Sequence, residues 1–169
     1  LREPARLGPL RTPPLRRIRL RYPDGAADAE TLLVDPRSQR MFVVTKGLLR
    51  ARILAVPAAV YPGTASGVAT LVPVGAIGLQ LATDGTVLPS GAVLVRSYGA
   101  LMLLAPLLGP GTAGPTVRPL GTANLPIQNQ GEGVTASATV VYLGSEGAAA
   151  PILRMPLPAA FVAVLGATS

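Results

Sequence analysis

The chain contains no cysteine and no histidine. The first absence excludes disulfides and thiolate metal sites, and the second excludes an imidazole base and any His-ligated metal. Neither fixes the compartment, because many secreted proteins have no cysteine. There is no Gly-x-Ser-x-Gly elbow and no Asn-x-Ser/Thr acceptor. Without histidine no ordinary catalytic triad can form. No apolar run approaches a membrane span either. The longest, ALMLLAPLL at residues 100–108, falls far short of the roughly 20 residues a spanning helix needs. An apolar signal core and an initiator methionine are also missing, so the expectation is a processed form or a piece of something longer.

What the chain does have is punctuation. Glycine (19) and proline (18) recur through 169 residues of which 49% are hydrophobic. Disordered chains are poor in aliphatic and β-branched residues, so this combination reads as many short strands joined by turns. The length suits one domain with a real core. Net charge is +7, and it is unevenly placed. Through Arg52 there are twelve Lys/Arg against five Asp/Glu, and from Ile53 onward three of each. The charge-poor remainder reads as buried strand and neutral loop.

Residues 1–16 are rich in proline and arginine with neither a helical nor a strand period, which reads as an extended basic arm. Such arms can contact phosphates. Here no aromatic is interleaved for base stacking, so a solvated leader is favoured over a nucleic-acid partner.

Residues 22–46, YPDGAADAETLLVDPRSQRMFVVTK, organise the rest. An acidic cluster precedes an apolar strand, a DPRSQ turn and a returning strand, and 51–56 follows as a third strand or a short helix. Residues 84–97 with 100–104, and 130–145 with 151–155, repeat the plan more weakly. Glu30, Asp84 and Glu132 take matching places, 54 and 48 residues apart. Each acid precedes a hydroxyl, Thr45, Ser97 or Ser145. Before each unit stands another candidate strand, at 17–21, 68–74 and 116–120. Four strands in about 50 residues is the arithmetic of a propeller blade. The expected domain is 17–169, with units at about 17–57, 68–106 and 116–158. A further strand at 160–166 has no obvious place in the third unit. Three blades leave open apolar faces, so the chain is expected to form a homo-oligomer, to be completed by blades elsewhere, or to close as a compact sandwich or barrel.

These segments resemble a family of propeller-like proteins from high-GC bacteria, of the secreted actinobacterial type. The resemblance rests on YPDG-x-x-DAE-x-LLVDP…VVTK at 22–46, TDG…R-x-Y at 83–98, Q-x-QGEG at 128–133 and SEG at 145–147. It covers most of residues 17–158. It implies a β-propeller of which this chain supplies the C-terminal blades, since family members carry more blades upstream. Some relatives are labelled as similar to phytase or esterase-like propellers. The third unit departs from the family pattern, with TASAT at 135–139 where an Asp-Gly turn is usual.

Several residues invite a chemical reading. Asp24, Asp28, Glu30, Asp84 and Glu132 could supply oxygen ligands to calcium, which takes six to eight. The plainer reading, that each acid caps a turn or a strand start, weighs more because EF-hand spacing is absent. Glu30 with Glu132 is the one pair to nominate for a two-carboxylate hydrolase. Gly131-x-Gly133-x-x-Ala136 fits a dinucleotide fingerprint formally, but β-branched residues follow where a helix is needed. Ser66, Ser97 and Ser145 read as structural hydroxyls. Lys46, Arg96 and Glu146 could line a channel rim, with solvated or cross-blade ion pairs the plainer account. The leading expectation is a non-catalytic extracellular or cell-surface binding or structural module with no cofactor. The alternative is a calcium-dependent propeller hydrolase of phosphate or ester substrates.

Overall fold

The computed structural model describes residues 18–60, 67–108 and 114–167. In chain order the first strands are β1 (Ile18–Arg21), β2 (Ala29–Val34), β3 (Met41–Thr45) and β4 (Ala51–Ala55). A short 3-10 turn at Ala58–Val60 precedes β5 (Gly67–Thr70) and β6 (Val72–Ile77). Then come β7 (Ala82–Val87), β8 (Val93–Ser97), β9 (Ala100–Leu104) and β10 (Pro119–Asn124). The chain finishes with β11 (Gly131–Ala136), β12 (Val140–Ser145), β13 (Leu153–Pro156) and a helix, α1 (Ala159–Ala167). The fold is all-β. Among the described residues no helix is long and apolar enough to cross a membrane.

Local chemistry sets the hairpins. Between β2 and β3 the Asp35 carboxylate accepts the Arg37 N–H at 2.9 Å and the Ser38 hydroxyl at 2.7 Å. Gln39 turns the corner at φ 58°, and the Asp35 N–H closes the loop on the Arg40 carbonyl oxygen. An Asx turn of this kind is why Asp-Pro punctuates two apolar runs. In the third unit Ser137 takes over the work of the missing Asp-Gly. Its N–H donates to Val140 O at 2.8 Å, and its hydroxyl accepts the Thr139 and Val140 N–H groups.

The strands form three antiparallel sheets: β2-β3-β4-β6, β7-β8-β9-β10 and β11-β12-β13. A two-stranded parallel ribbon, β1-β5, completes the set. The first strands of the three sheets run side by side, with β7 between β2 and β11. One core lies between the first and middle sheets, where Leu33, Phe42, Val44 and Ile53 meet Val93, Val95 and Leu104. A second lies between the middle and third sheets, where Leu94, Leu101 and Leu103 meet Val134, Val141 and Leu143. The middle sheet is therefore covered on both faces, and every residue of β8 is buried. The ribbon covers the outer part of the first sheet's far face through Leu54, Val56 and Leu71 with Ile18 and Val43.

Four expectations need correction. Residues 17–21 do not open the first sheet, since β1 pairs only with β5 among the described residues. The strands expected to start the second and third units instead end the preceding sheets: β6 pairs with β4, and β10 with β9. A repeat fixes the period of a pattern but not its origin, which is set by hydrogen-bond partners. The sheets therefore run from 29 to 77, 82 to 124 and 131 to 156. Residues 160–166 are helix, not strand. This alanine- and leucine-containing segment satisfies its backbone internally, after Pro156 and Pro158 have ended β13, and Phe161 anchors it in the second core. Finally, among the described residues the third sheet has three strands rather than four. Residues 51–56, left open between strand and helix, contribute β4. The basic arm at 1–16 lies outside the described residues, as do Arg17 and Ser66.

Candidate functional site

Each sheet's first strand carries a one-residue bulge at the same place. The registers jump from Ala29 to Thr31, from Ala82 to Asp84 and from Gly131 to Gly133. The skipped residues are Glu30, Thr83 and Glu132. A bulge leaves its extra residue outside the ladder and re-aims its side chain. Opposite each bulge, Thr45, Ser97 and Ser145 end the second strands, and the next residues are Lys46, Tyr98 and Glu146. Six positions from three sheets thus converge at one end of the inner strands. Asp84 is therefore not the counterpart of Glu30 and Glu132. Thr83 is, and its hydroxyl donates to Gly131 O at 3.1 Å.

A polar chain crosses these positions. The Lys46 ammonium donates to Glu30 Oε1 at 2.9 Å and to the Tyr98 hydroxyl at 2.8 Å. Tyr98 in turn donates to Glu132 Oε1 at 3.3 Å, and Glu132 shares a hydrogen bond with Glu146. The ammonium also lies 5.0 Å from the Tyr98 ring centroid, within cation–π range. The hydrogen bonds to Tyr98 and Glu30 hold Lys46 above the ordinary lysine range. Glu146 is raised above the usual carboxylate range, chiefly by its hydrogen bond to Glu132 and by that group's charge. The cluster is acidic on balance, three carboxylates to one ammonium, and its chemistry is that of a hydrogen-bonded relay between sheets.

The five acids nominated as calcium ligands separate. Asp24 is ion-paired with Arg52. Asp28 uses its main-chain oxygen to accept the Lys46 N–H at 2.9 Å. Glu30 and Glu132 do share the cluster, joined through Lys46 and Tyr98 rather than directly. Asp84 sits apart, facing the third sheet, where its carboxylate accepts the Val134 N–H at 2.6 Å. Burial raises its pKa, against the lowering effect of the Val134 and Gly85 N–H groups and of Arg96. Among the described residues no group of three or more acids is placed to hold a metal ion.

Arg96, for which a solvated or cross-blade ion pair was the plainer account and a channel rim the alternative, is the largest fully buried side chain among the described residues. It leaves the middle sheet and enters the third, donating to Gly133 O at 2.8 Å and Gly144 O at 3.1 Å. Gln128 Oε1 and Ser97 O accept from it more weakly. Burial lowers its pKa, with Asp84 and Glu132 opposing. The room comes from glycine: a Cβ on Gly131 would collide with Arg96 Nη2, and Gly133 and Gly144 approach each other backbone to backbone. The Q-x-QGEG segment is thus the receptacle of a buried arginine. Sequence reasoning missed this and missed Tyr98. Tyr98 was recoverable, because it follows Ser97 as Lys46 follows Thr45.

Compared with known proteins, the chain matches no protein-family model, no curated protein and no solved structure.

Proposed function

We propose that this chain is a non-catalytic, propeller-like association module, acting in an extracellular or cell-surface setting. One observation carries the reading. The registers make Leu32, Gly85 and Val134 equivalent, and likewise Val34, Val87 and Ala136. In the middle and third sheets these positions face the preceding sheet and are buried or half-buried. In the first sheet Leu32 is 57% and Val34 45% exposed. An apolar face with the pattern of an internal junction, left uncovered by the described residues, marks an interaction surface. The polar relay supports a structural rather than a reactive role, because Lys46, Tyr98 and Glu132 are each engaged with a neighbour across sheets.

Sedimentation equilibrium over a range of concentrations, on the natural chain and on Leu32→Asp with Val34→Asp, tests the proposal. Association that the double substitution abolishes supports it. A chain that stays monomeric at every concentration, with or without the substitutions, overturns it. A thermal stabilisation by calcium that Glu30→Gln with Glu132→Gln removes would replace it with the calcium-hydrolase alternative.

A further inference from the structure

Three strands of this chain immediately precede an inner strand: β1 before β2, β6 before β7 and β10 before β11. Two of them are the fourth strands of the sheet behind, β6 in the first sheet and β10 in the middle one. Spacing places β1 in the same class. Val72 lies ten residues before Ala82, Gly121 ten before Gly131, and Arg19 ten before Ala29. Yet β1 has β5 on one edge and, among the described residues, nothing on the other. At the opposite end of the molecule, the third sheet stops at β13 with no fourth strand among the described residues. Among its described residues, one chain therefore carries both a fourth strand without its sheet and a sheet without its fourth strand.

The faces match as the edges do. The side of the third sheet turned away from the core presents Tyr142, 39% exposed, with Thr135 and Arg154 across the strands from it and Gly133 and Gly144 one step along. A Cβ on either glycine would meet only the other's backbone within 4 Å. That leaves a shallow seat at the height where Leu32 projects from the first sheet. At the two junctions inside the chain the equivalent face covers the next sheet, as Asp84 on Val134 shows.

Resting on the association reading above, we propose that a second copy of this chain fills both gaps. The β1 strand of each copy pairs antiparallel with the free edge of the partner's β13, and the partner's third sheet covers Leu32 and Val34. Two copies then contribute six sheets, within the four to eight that close a propeller. The register follows from the internal junctions. Ala55 faces Val72 and Leu103 faces Gly121, and Arg154 is the β13 residue equivalent to Ala55 and Leu103. Arg19 therefore stands opposite Arg154 across the new junction. Like charges directly opposite weaken a strand pair, so charge reversal tests the register.

The experiment uses the full chain. Arg154→Glu or Arg19→Glu alone alters both junctions of the dimer and should tighten dimerisation by about two- to thirty-fold, and the two together should return it toward the natural value. Arg19→Cys mixed with Arg154→Cys under oxidising conditions should give a mixed disulfide dimer, which neither variant forms alone; no other thiol competes. A dimer that shows neither the charge-reversal cycle nor the mixed disulfide overturns the strand pairing and leaves the association reading standing. A chain that is monomeric in every variant overturns both.

Discussion

The Arg96 guanidinium donates to the main-chain oxygen of Gly133 at 2.8 Å, from the middle sheet into the third. Buried charge is tolerated only where its donors are satisfied. Here the acceptors are carbonyl oxygens on two neighbouring strands, Gly133 of β11 and Gly144 of β12. The bulge at Glu132 breaks the regular ladder at that point. The same bulge sends Glu132 toward Tyr98, so one irregularity serves both the inter-sheet anchor and the polar relay.

Gly131→Ala should therefore cost about 1–3 kcal/mol, the range for overpacking a filled interior. Arg96→Ala should cost about 3 kcal/mol or more, because it opens a cavity and strands two carbonyls. The two losses should not add. With the guanidinium gone, the methyl on residue 131 meets only Gln128 Cβ closely, at 3.3 Å, and urea denaturation of the double variant should lie near that of Arg96→Ala alone. Additive losses would disprove the contact.

Thr31 is 2% exposed, and its Oγ1 has no hydrogen-bond partner among the described residues. A buried hydroxyl left unpaired costs about 1–3 kcal/mol. Thr31→Val keeps the shape and removes that group, so it should raise the unfolding midpoint by about 1 kcal/mol or more in free-energy terms. A lower midpoint would mean the hydroxyl is engaged in solution.

Glu146 titrates above its ordinary value because Glu132 hydrogen-bonds to it and adds a negative charge beside it. A carboxyl with a raised folded-state pKa binds its proton more tightly when folded. Its ionisation then subtracts stability as pH rises from the ordinary glutamate value through the raised one. Glu132→Gln removes the charge, so the Glu146 pKa should fall toward the ordinary value, and that decline in stability should flatten. Carboxyl-carbon NMR titration reads the first effect and denaturation at stepped pH the second. An unmoved Glu146 would break the relay at this link.

Phe161 is 1% exposed and lies against Gly121 of β10, 3.2 Å from where a Cβ would stand. Phe161→Ala should cost about 3–5 kcal/mol and release the helix from the sheets. Denaturation measures the first, and loss of amide protection over Ala159–Ala167 the second.

Much of this fold could be read before any coordinates. The 22–46 segment contains its own instructions: Asp35-Pro36 turns, and alternation along β2 buries Thr31 and Leu33 while leaving Leu32 and Val34 outward. The polar relay was half legible, with Glu30, Lys46, Glu132 and Glu146 all singled out. Tyr98 was legible too, as the residue after Ser97 where Lys46 follows Thr45, but the equivalence of Thr83 was not, because bulges shift the count by one and no residue type announces them. For Arg96 a cross-blade contact was legible, but its full burial and its carbonyl acceptors were not. A lone arginine in an apolar strand suggests a solvated or ion-paired charge until a neighbouring sheet supplies main-chain acceptors.

Turn chemistry and period-2 alternation act over a few residues, so the sequence by itself determined that this chain makes short antiparallel strands in units about 50 residues long. Which sheet each strand joins was decided only in three dimensions, as was the fate of residues 160–166. A strand's edge is satisfied by a partner 15 or more residues away. Residues 160–166 close their hydrogen bonds on themselves instead, with Phe161 seated in the second core.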